Sequence, residues 1–593
     1  MRRYEQTLVE LDRRHALVLV VLLGAFVVLA CRVVYVQVVN REFLQAQGNL
    51  QHLREVKNRV TRAMVTDRHG EALAVSTPLQ SVVVSPKTFD FSSVEVRRLA
   101  HLLGMTQAQL VQRVRGPQDN KLEFIYLKRM VTPALIAEIQ QLNIPGVSLK
   151  REYRRYYPSG EVAAHVVGYT DIDEKGKAGI ELIKNKQLSG TTGIKRVHKD
   201  RIGFIVDDVE HVQPRVVGQA VELSIDHRLQ YLAYRELKAA VLRHHAKSGA
   251  LVMIDITTGE ILALVNQPSY NPNDRKQFEG HQFHEREVNR VASSLFEPGS
   301  TIKPFVIAAA LQSGLYRSTS TIDTSPGQME LGSRVIRDTA NNGVLDLSGV
   351  LTKSSNVGIS KLALTLGATS VWRQYQILGL GQITETGLPG EQAGVLHPYQ
   401  KWNEQELASA AYGYGLSTSL LQLVQAYGVI ASDGYLRPLT IFKRPASSEG
   451  KRVMSAAVAQ QVRDMLEQVT APGGTGHYAR VSGYRVAGKT GTVRKVIPQT
   501  LGKTSALTKS KPTGYSNSRY MALFAGIAPA SNPRLAMVVL IDEPDNGEYY
   551  GGKVAAPVFS EVMRDALRLL NVPPDNLPVD KAIVNVKFSG PRT

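Results

Sequence analysis

The sequence has a single cysteine, Cys31, among its 593 residues. One thiol excludes an internal disulfide and any zinc cluster built from several cysteines. The sequence also lacks an internal repeat with a period of about 20 to 50 residues, which argues against a solenoid or a propeller. It has no DNA- or RNA-reading motif and no basic stripe interleaved with aromatic residues. Nucleic acid is therefore a poor candidate for the partner of this chain.

Acidic residues are outnumbered, because the sequence has 71 Lys and Arg against 52 Asp and Glu, a formal net charge of +19. This excess favours an anionic partner such as a phospholipid surface or a polyanionic polymer, and a self-repelling soluble surface is the alternative. Hydrophobic residues make up 43% of the chain, which suffices for full-sized cores. The length predicts roughly three to four structural units.

One apolar run, at residues 16–39, is long enough to span a membrane. Residues 16–31 are apolar without a break, and after Arg32 the apolar character continues to Val39. A helix of this length is roughly 36 Å long, against a hydrocarbon core of roughly 30 Å. Arginines are more frequent before the run than after it, so the positive-inside rule predicts a cytoplasmic N-terminus and an external body. A cleaved signal peptide and a lipidated Cys31 are the alternatives.

The pattern after this segment predicts a stalk, a strand-rich module and a larger mixed domain. Residues 40–60 are polar and compatible with a helical stalk, and strands with turn residues follow. Residues 94–143 are predicted to be helical from their leucine spacing. Residues 249–266 predict a hairpin, helices dominate until about residue 470, and strands return before a last helix at about 556–570. Strands at both ends of the mixed domain predict one sheet covered by a helical insert, an α+β fold.

Three short motifs occur in order in the mixed domain. Ser300 and Lys303 lie in FEPGSTIK at a predicted helix start, three positions apart on one face. Ser354 and Asn356 lie in TKSSNVG at another predicted helix start, and Lys489 opens KTGT in a strand pattern. A serine hydroxyl becomes a nucleophile when a neighbouring base takes its proton. An amine is such a base if burial or nearby cations lower its pKa.

Each motif alone is weak evidence. A second S-x-x-K match, from Ser448 to Lys451, lies in a loop-like stretch, and we interpret it as chance. The segment from Gly483 to Thr490 formally matches a phosphate-binding loop, but it is strand-like and no helix pattern follows, so no ATP site is predicted. The ordered set of S-x-x-K, S-x-N and K-T-G is the signature of penicillin-binding proteins and serine β-lactamases, which the sequence therefore resembles.

This resemblance implies the roles of the first two motifs. Ser300 attacks the carbonyl between two D-alanines to form an acyl-enzyme, and Lys303 is the base that activates it. Ser354 relays a proton towards the leaving amine. Asn356 orients Lys303 and holds the substrate amide.

The third motif is expected to bind the substrate. The strand that contains Lys489 pairs with the extended peptide, while the Lys489 ammonium and Thr490 attract the terminal carboxylate. The backbone N–H groups of Ser300 and Thr492 form the oxyanion hole, and Gly491 completes the substrate-binding segment. Neither a metal nor a cofactor is expected.

Beyond the motifs, the sequence resembles class B penicillin-binding proteins, and among them the division-specific septal transpeptidases of FtsI type. The likeness runs from about residue 10 to 570 and includes RRYYPSGEVAAHVVGYTDIDEKGKAGIE, AAYGYGLSTSLLQLVQAY and YYGGKVAAPVFSEVM. It implies an α+β multidomain protein with a strand-rich pedestal and a β-lactamase-like transpeptidase domain. The expected divisions are a cytoplasmic tail at 1–15, a transmembrane helix at 16–39, a periplasmic stalk and non-catalytic pedestal at 40–220, a transpeptidase domain at 221–572 and a tail at 573–593.

The resemblance implies a peptidoglycan D,D-transpeptidase that cross-links septal stem peptides and is inhibited by β-lactams. The implied partners are glycan strands derived from lipid II, a membrane-embedded glycosyltransferase of FtsW type and other division proteins, at the inner membrane of a Gram-negative bacterium. A D,D-carboxypeptidase or β-lactamase-like hydrolase is an alternative, because the motifs do not decide whether an amine or water accepts the acyl group. A non-enzymatic division scaffold or antibiotic sensor is another.

Residues 493–519 are predicted to form a basic loop beside the K-T-G strand. This loop either contacts an anionic substrate or is solvated.

Overall fold

The structure is a computed structural model that describes residues 2–44, 53–58, 60–116, 124–199, 205–278, 280–444, 449–498 and 512–577. The strands in chain order are β1 (Leu53–Asn58), β2 (Val65–Thr66), β3 (Ala72–Val84), β4 (Ile125–Val131), β5 (Val147–Tyr156), β6 (Gly193–Lys199), β7 (Ile205–Gln213), β8 (Val221–Glu222), β9 (Ser248–Asp255), β10 (Ile261–Gln267), β11 (Thr321–Asp323), β12 (Gln328–Leu331), β13 (Arg334–Arg337), β14 (Val344–Asp346), β15 (Tyr435–Leu436), β16 (Lys451–Arg452), β17 (Ala487–Pro498), β18 (Pro512–Ala528) and β19 (Leu535–Asp542).

The α-helices in chain order are α1 (Arg2–Val34), α2 (Glu95–Leu102), α3 (Gln107–Arg115), α4 (Pro133–Gln141), α5 (Ala164–Val167), α6 (Gly179–Ile183), α7 (Asn185–Ser189), α8 (His227–Arg243), α9 (His281–Glu287), α10 (Arg290–Ser293), α11 (Lys303–Gln312), α12 (Leu347–Thr352), α13 (Asn356–Leu366), α14 (Ala368–Ile377), α15 (Glu404–Ala411), α16 (Leu420–Ala431), α17 (Ala456–Thr470), α18 (Gly551–Val554) and α19 (Ala556–Leu569). The chain divides into a smaller unit, Met1–Thr61 with Gly190–Gly218, and a larger unit, Arg62–Ser189 with Gln219–Thr593.

The smaller unit contains the N-terminal helix and a three-stranded sheet. Helix α1 continues as a π-helical turn, and Arg14–Val39 forms a segment of mean hydropathy 2.9, long and apolar enough to cross a membrane. The predicted membrane segment lies within it. The prediction of a helical stalk at residues 40–60 was partly wrong, because this stretch contains strand β1. Strand β1 pairs with β6, and β6 with β7, in an antiparallel sheet. The partner strand lies far along the chain, so local composition did not reveal this pairing.

The first part of the larger unit is a mixed module built around the long strand β3. This strand pairs with β2, β4 and β5, and a turn at His69 and Gly70 separates β2 from β3. The prediction of helices throughout 94–143 was wrong at β4, where Leu127 and Val131 are buried against α2 to α4. Ile125 packs on the same cluster, and these three residues lie at even spacings, as on one face of a strand, but the pattern is too short a signal to stand out between helical segments.

A buried ion-pair cluster joins three segments of this module. Glu181 accepts hydrogen bonds from Arg62 Nε and Arg155 Nε, each at 2.6 Å, and all three side chains are buried. Arg62 also donates to Asn185 Oδ1 at 2.9 Å and to Ser189 Oγ at 2.6 Å. A buried charge is tolerated only where it is paired and hydrogen-bonded, so these contacts fix α6 and α7 against β5.

The second part of the larger unit is built on a five-stranded antiparallel sheet in the order β10–β9–β19–β18–β17. Along β9, Leu251 and Met253 face one core, whereas Val252 and Ile254 face the other. Helices α8 and α19 cover the first face, and α11 and α16 lie in the core on the second. This arrangement confirms the predicted α+β fold, with the helical segments inserted between the first and last strands.

The basic segment at 493–519 is not wholly a loop. Strand β17 continues to Pro498 and β18 begins at Pro512, with Val496 paired to Tyr515, so most of the described part of this segment extends the hairpin. Residues 499–511 lie outside the described residues. The prediction was wrong because this part of the hairpin is held by backbone pairing and has no apolar face. Its basic residues therefore gave no strand pattern in the sequence.

Candidate active site

The turn that carries Ser300 is held from several sides. Gly299 has φ +53°, and a Cβ there would meet Val493 Cγ2 at 2.5 Å, so glycine is required by both conformation and space. Gly299 N donates to Gly413 O at 3.1 Å, and Tyr427 Oη donates to Thr301 O at 2.8 Å. A 3₁₀ turn, Gly299–Ile302, then leads into α11, which begins at Lys303. The serine is thus placed on a rigid turn directly before a helix.

The amine of Lys303 is fully buried and faces the S-x-N motif. Its Nζ donates to Ser354 O at 2.6 Å and to Asn356 Oδ1 at 2.8 Å, and it lies 3.3 Å from Ser354 Oγ. Within the described part of the chain, no hydrogen bond reaches the Ser300 hydroxyl. The polar contacts of the Lys303 amine are therefore to Ser354 and Asn356, and the structure shows no direct hydrogen bond between Lys303 and Ser300.

A second buried amine, that of Lys489, approaches the Ser354 hydroxyl from the sheet. Its Nζ donates to Ser354 Oγ at 2.9 Å and to Thr490 O at 3.3 Å. Ser354 has φ +57°, a left-handed conformation that costs an ordinary residue roughly 1–2 kcal/mol. Such conformations persist only where the surroundings impose them. The strained serine is thus held between the two amines.

Burial changes the pKa of both lysines. Burial and the nearby Lys489 charge lower the pKa of Lys303 well below its ordinary value, against an opposing effect of Asp338. Burial alone lowers the pKa of Lys489 to about 7. A buried ammonium loses its hydration, so the neutral amine is favoured in each case. An amine with a lowered pKa is able to accept a proton near neutral pH, as a general base must.

The K-T-G residues lie on the edge strand of the sheet. Thr490 Oγ1 donates to Thr475 Oγ1 at 3.1 Å, and Thr492 Oγ1 accepts from Gly551 N at 3.0 Å. A Cβ at Gly491 would meet Thr301 Cγ2 at 2.9 Å, so glycine allows the strand to approach the nucleophile turn. Strand β17 has no partner strand on its other side among the described strands.

These residues surround a cleft of about 1280 Å³. Of the predicted site residues, those that line it are Ser300, Ser354, Asn356, Thr490 and Thr492. Lys303 and Lys489 lie behind its surface, and Gly491 supports the strand. The structure thus brings the three motifs together from a turn, a helix start and a strand that are distant in the sequence.

Several residues of the cleft were not predicted. Tyrosines form much of its wall, namely Tyr412, Tyr414, Tyr478, Tyr515, Tyr520, Tyr549 and Tyr550. Glu297 links the nucleophile turn to this wall, since its Oε1 accepts from Gly415 N at 2.8 Å and from Tyr515 Oη at 3.1 Å. Burial raises the pKa of Glu297. Glu297 lies beside the first motif, and four of the tyrosines lie in segments that carry the family resemblance, namely Tyr412, Tyr414, Tyr549 and Tyr550. The other three tyrosines had no such signal in the sequence.

The cleft has the features of a serine acyl-transfer site. A serine hydroxyl at the surface, a buried amine of lowered pKa behind it and an edge strand beside it suit attack on the carbonyl of an extended peptide. These features, on this sheet and helical insert, define the class of penicillin-recognising serine acyltransferases.

Comparison with known proteins identifies the family. Residues 249–564 match the model of the penicillin binding protein transpeptidase domain, and residues 57–223 match the penicillin-binding protein dimerisation domain. The chain belongs to the penicillin-binding proteins, in the class B branch of FtsI type.

Individual relatives are similar over nearly the whole chain. The peptidoglycan D,D-transpeptidase FtsI of Escherichia coli K12 is 40% identical over 581 residues, which cover 97% of this chain and 95% of that protein. The probable peptidoglycan D,D-transpeptidase PbpC of Pseudomonas aeruginosa is 39% identical over 580 residues, which cover 98% and 99%. Penicillin binding protein 3 from Mycobacterium tuberculosis, solved with aztreonam, is 27% identical with a TM-score of 0.66, covering 88% of this chain and 98% of that one.

Proposed function

We propose that this protein is the peptidoglycan D,D-transpeptidase of the septal cell wall, with Ser300 as its nucleophile. Ser300 Oγ attacks the carbonyl between the two D-alanines of a stem peptide, an ester forms, and the terminal D-alanine leaves. The amine of an acceptor stem then attacks the ester, which releases Ser300 and forms the cross-link. The single observation that carries this proposal is the Lys303–Ser354–Lys489 contact chain beside Ser300.

The proton moves along this chain of contacts. Neutral Lys303 takes the Ser300 proton, and Ser354, which contacts both amines, passes a proton towards the leaving D-alanine amine. Asn356 holds Lys303 through its Oδ1. The backbone N–H groups of Ser300 and Thr492 stabilise the tetrahedral oxyanion.

The edge strand binds the peptide. Residues Lys489 to Thr492 add the substrate to the sheet as a further strand, and the terminal carboxylate lies near Lys489 and Thr490. The same contacts bind β-lactams, which mimic this peptide and acylate Ser300. Relatives named D,D-transpeptidases and a relative solved with aztreonam support this substrate class.

The cellular setting follows from the N-terminal helix and from the relatives. This is a single-pass membrane protein of the inner membrane, with residues 1–15 in the cytoplasm and the catalytic part in the periplasm. We propose the domain divisions that the resemblance implies, with a pedestal at 40–220 and a transpeptidase domain at 221–572. An FtsW-type glycosyltransferase supplies the nascent glycan strands, and other division proteins bind nearby.

Labelling with a fluorescent penicillin tests the nucleophile. The full-length protein in detergent is expected to label covalently, and Ser300→Ala is expected to abolish the label. Lys303→Ala is expected to slow labelling by about 100- to 10,000-fold, the usual contribution of a general base. Lys451→Ala, in the second S-x-x-K match, is the control and should label like the wild type. An unlabelled wild-type protein would overturn the proposal.

A product assay tests the acceptor. Incubation with a donor stem peptide and an amine acceptor is expected to yield a cross-linked dimer as well as free D-alanine. Free D-alanine with no dimer at saturating acceptor would indicate a carboxypeptidase. In cells, depletion is expected to give filaments that Ser300→Ala does not rescue. Rescue by Ser300→Ala would indicate a scaffold, and rounded cells would indicate a role in elongation.

A further inference from the structure

Asp338 lies outside the three motifs, yet its carboxylate holds the start of α13. Its Oδ1 accepts from Asn356 N at 2.5 Å and from Val357 N at 3.0 Å, and its Oδ2 accepts from Ser355 Oγ at 2.5 Å. Strand β13 ends at Arg337, one residue earlier, so the carboxylate projects from the end of a strand onto the first turn of a helix. Hydrogen bonds from free helix N–H groups to a carboxylate are among the stronger ones in proteins.

These hydrogen bonds fix the turn that faces Lys303. Ser355 is the N-cap of α13, and its Oγ accepts from Gly358 N at 2.8 Å while donating to Asp338. Ser354, one residue earlier, has the left-handed φ of +57°. The carbonyl and hydroxyl of Ser354 and the amide of Asn356 all contact Lys303, so a shift of this turn moves every polar contact of that amine.

The charge of Asp338 matters as well as its hydrogen bonds. Two charged side chains act on the Lys303 amine: Lys489 from β17 opposes its protonation, and Asp338 from the β13 side favours it. The remaining groups around this amine, those of Ser354 and Asn356, are neutral. Asp338 is thus the negative charge that offsets the effect of Lys489 on the Lys303 amine.

We infer that Asp338 is a positioning residue for the acylation step, which holds the Ser354–Asn356 turn against Lys303 and supplies the negative charge that offsets Lys489 at the Lys303 amine. The inference rests on the acylation of Ser300 proposed above. It assigns a function to a residue that is 38 positions beyond Ser300 and belongs to none of the three motifs.

The experiment compares Asp338→Asn with Asp346→Asn in the full-length protein in detergent. Asp346 is a matched control, because its carboxylate caps the neighbouring helix α12 by accepting from Gly349 N at 2.7 Å. The measurement is the second-order rate of labelling by a fluorescent penicillin between pH 5.5 and 9. Asp338→Asn is expected to react about 100-fold more slowly, since small misplacement of catalytic groups costs about this much. Asp346→Asn should stay within about twofold of the wild type.

The pH profile separates positioning with charge from a merely structural role. Loss of the Asp338 charge lowers the pKa of Lys303 further, so the neutral amine persists to lower pH and the acid limb of the profile should move to lower pH. Asp338→Glu keeps the charge and should keep the wild-type limb at a reduced rate. An unmoved limb in Asp338→Asn, or a rate within threefold of the Asp346→Asn control, would overturn the inference.

If thermal unfolding shows that Asp338→Asn does not fold, Ser355→Ala serves as a second test of the positioning role. This variant loses the hydrogen bond to Asp338 and the N-cap hydrogen bond from Gly358 N but keeps the charge, so labelling should slow at least tenfold with the acid limb in place. Labelling at the wild-type rate would overturn the positioning role. Failure of the wild type itself to label would instead refute the proposed nucleophile, and the two failures are thus distinct.

Discussion

Replacement of Lys489 by methionine should stabilise the protein while it abolishes acylation. The pKa of Lys489 falls from 10.5 to about 7 because the amine is buried. At about 1.4 kcal/mol per pKa unit, this shift destabilises the folded state by about 4 kcal/mol at pH 7, relative to a group that never ionises. Loss of the hydrogen bonds to Ser354 Oγ and Thr490 O removes about 1 kcal/mol each. The expected net gain is about 2 kcal/mol.

The gain should depend on pH in a defined direction. The folded-state pKa is below the unfolded value, so the penalty is fully present below pH 7 and disappears as pH rises towards 10.5. For a folding unit of roughly 300 residues, about 2 kcal/mol corresponds to a melting temperature about 3 °C higher. Scanning calorimetry of the full-length protein at pH 6, 7.5 and 9.5 measures this, with penicillin labelling alongside.

Lys495→Met is the matched control on the same strand. Lys495 Nζ contacts Asp542 Oδ1 at 2.7 Å and Glu543 Oε1 at 2.6 Å, and these partners raise its pKa although partial burial opposes them. Its replacement should therefore lower the melting temperature at neutral pH. A Lys489→Met protein that melts below the wild type at pH 6, or a difference that grows at pH 9.5, would refute the reasoning about burial.

Three further substitutions probe other parts of the structure. Ser354→Gly and Ser354→Ala should lose labelling equally, but Ser354→Gly should be more stable by about 0.5–1 kcal/mol in denaturant unfolding, because φ +57° strains alanine; equal stability would contradict the strained turn. Gly299→Ala should slow labelling at least tenfold, because the new Cβ meets Val493 Cγ2 at 2.5 Å, and a wild-type rate would show that the turn yields freely. Glu181→Gln should lower stability by about 3–5 kcal/mol, since it leaves the buried Arg155 uncompensated, and an unchanged melting curve would argue against that ion pair.

Local sequence patterns predicted the fold class and the type of element on which each motif lies. Each motif carries its own structural signal: Pro298 and Gly299 before a helix, Ser355 as an N-cap, and Gly491 within a strand. The return of strands after the helical segments predicted that β9 and β19 belong to one sheet, and they are paired. Fold and acyl-transfer chemistry were therefore accessible without coordinates.

Features that depend on distant pairing were not accessible in the same way. Asp338 has no motif of its own, and its role depends on the three groups of α13 that β13 brings to it. Strand β4 was missed because its short apolar alternation lies between helices, and the hairpin extension was missed because its residues are basic. Ser300 and Lys303 were predicted to share one helical face, but that spacing did not reveal the contacts of the Lys303 amine with Ser354 and Asn356.

The pairing of β9 with β19 has a consequence for the timing of biosynthesis. The anchor is made first, whereas the central strand β19 is among the last segments to leave the ribosome. Almost 300 residues separate β9 from β19 in the sequence. The sheet that joins β9 and β10 to β17 therefore cannot form until this whole stretch has been synthesised. The K-T-G strand β17 is joined to β9 only through β18 and β19, so the complete sheet is needed to hold it in place. Late closure of the sheet thus delays assembly of the site until β19 has been synthesised.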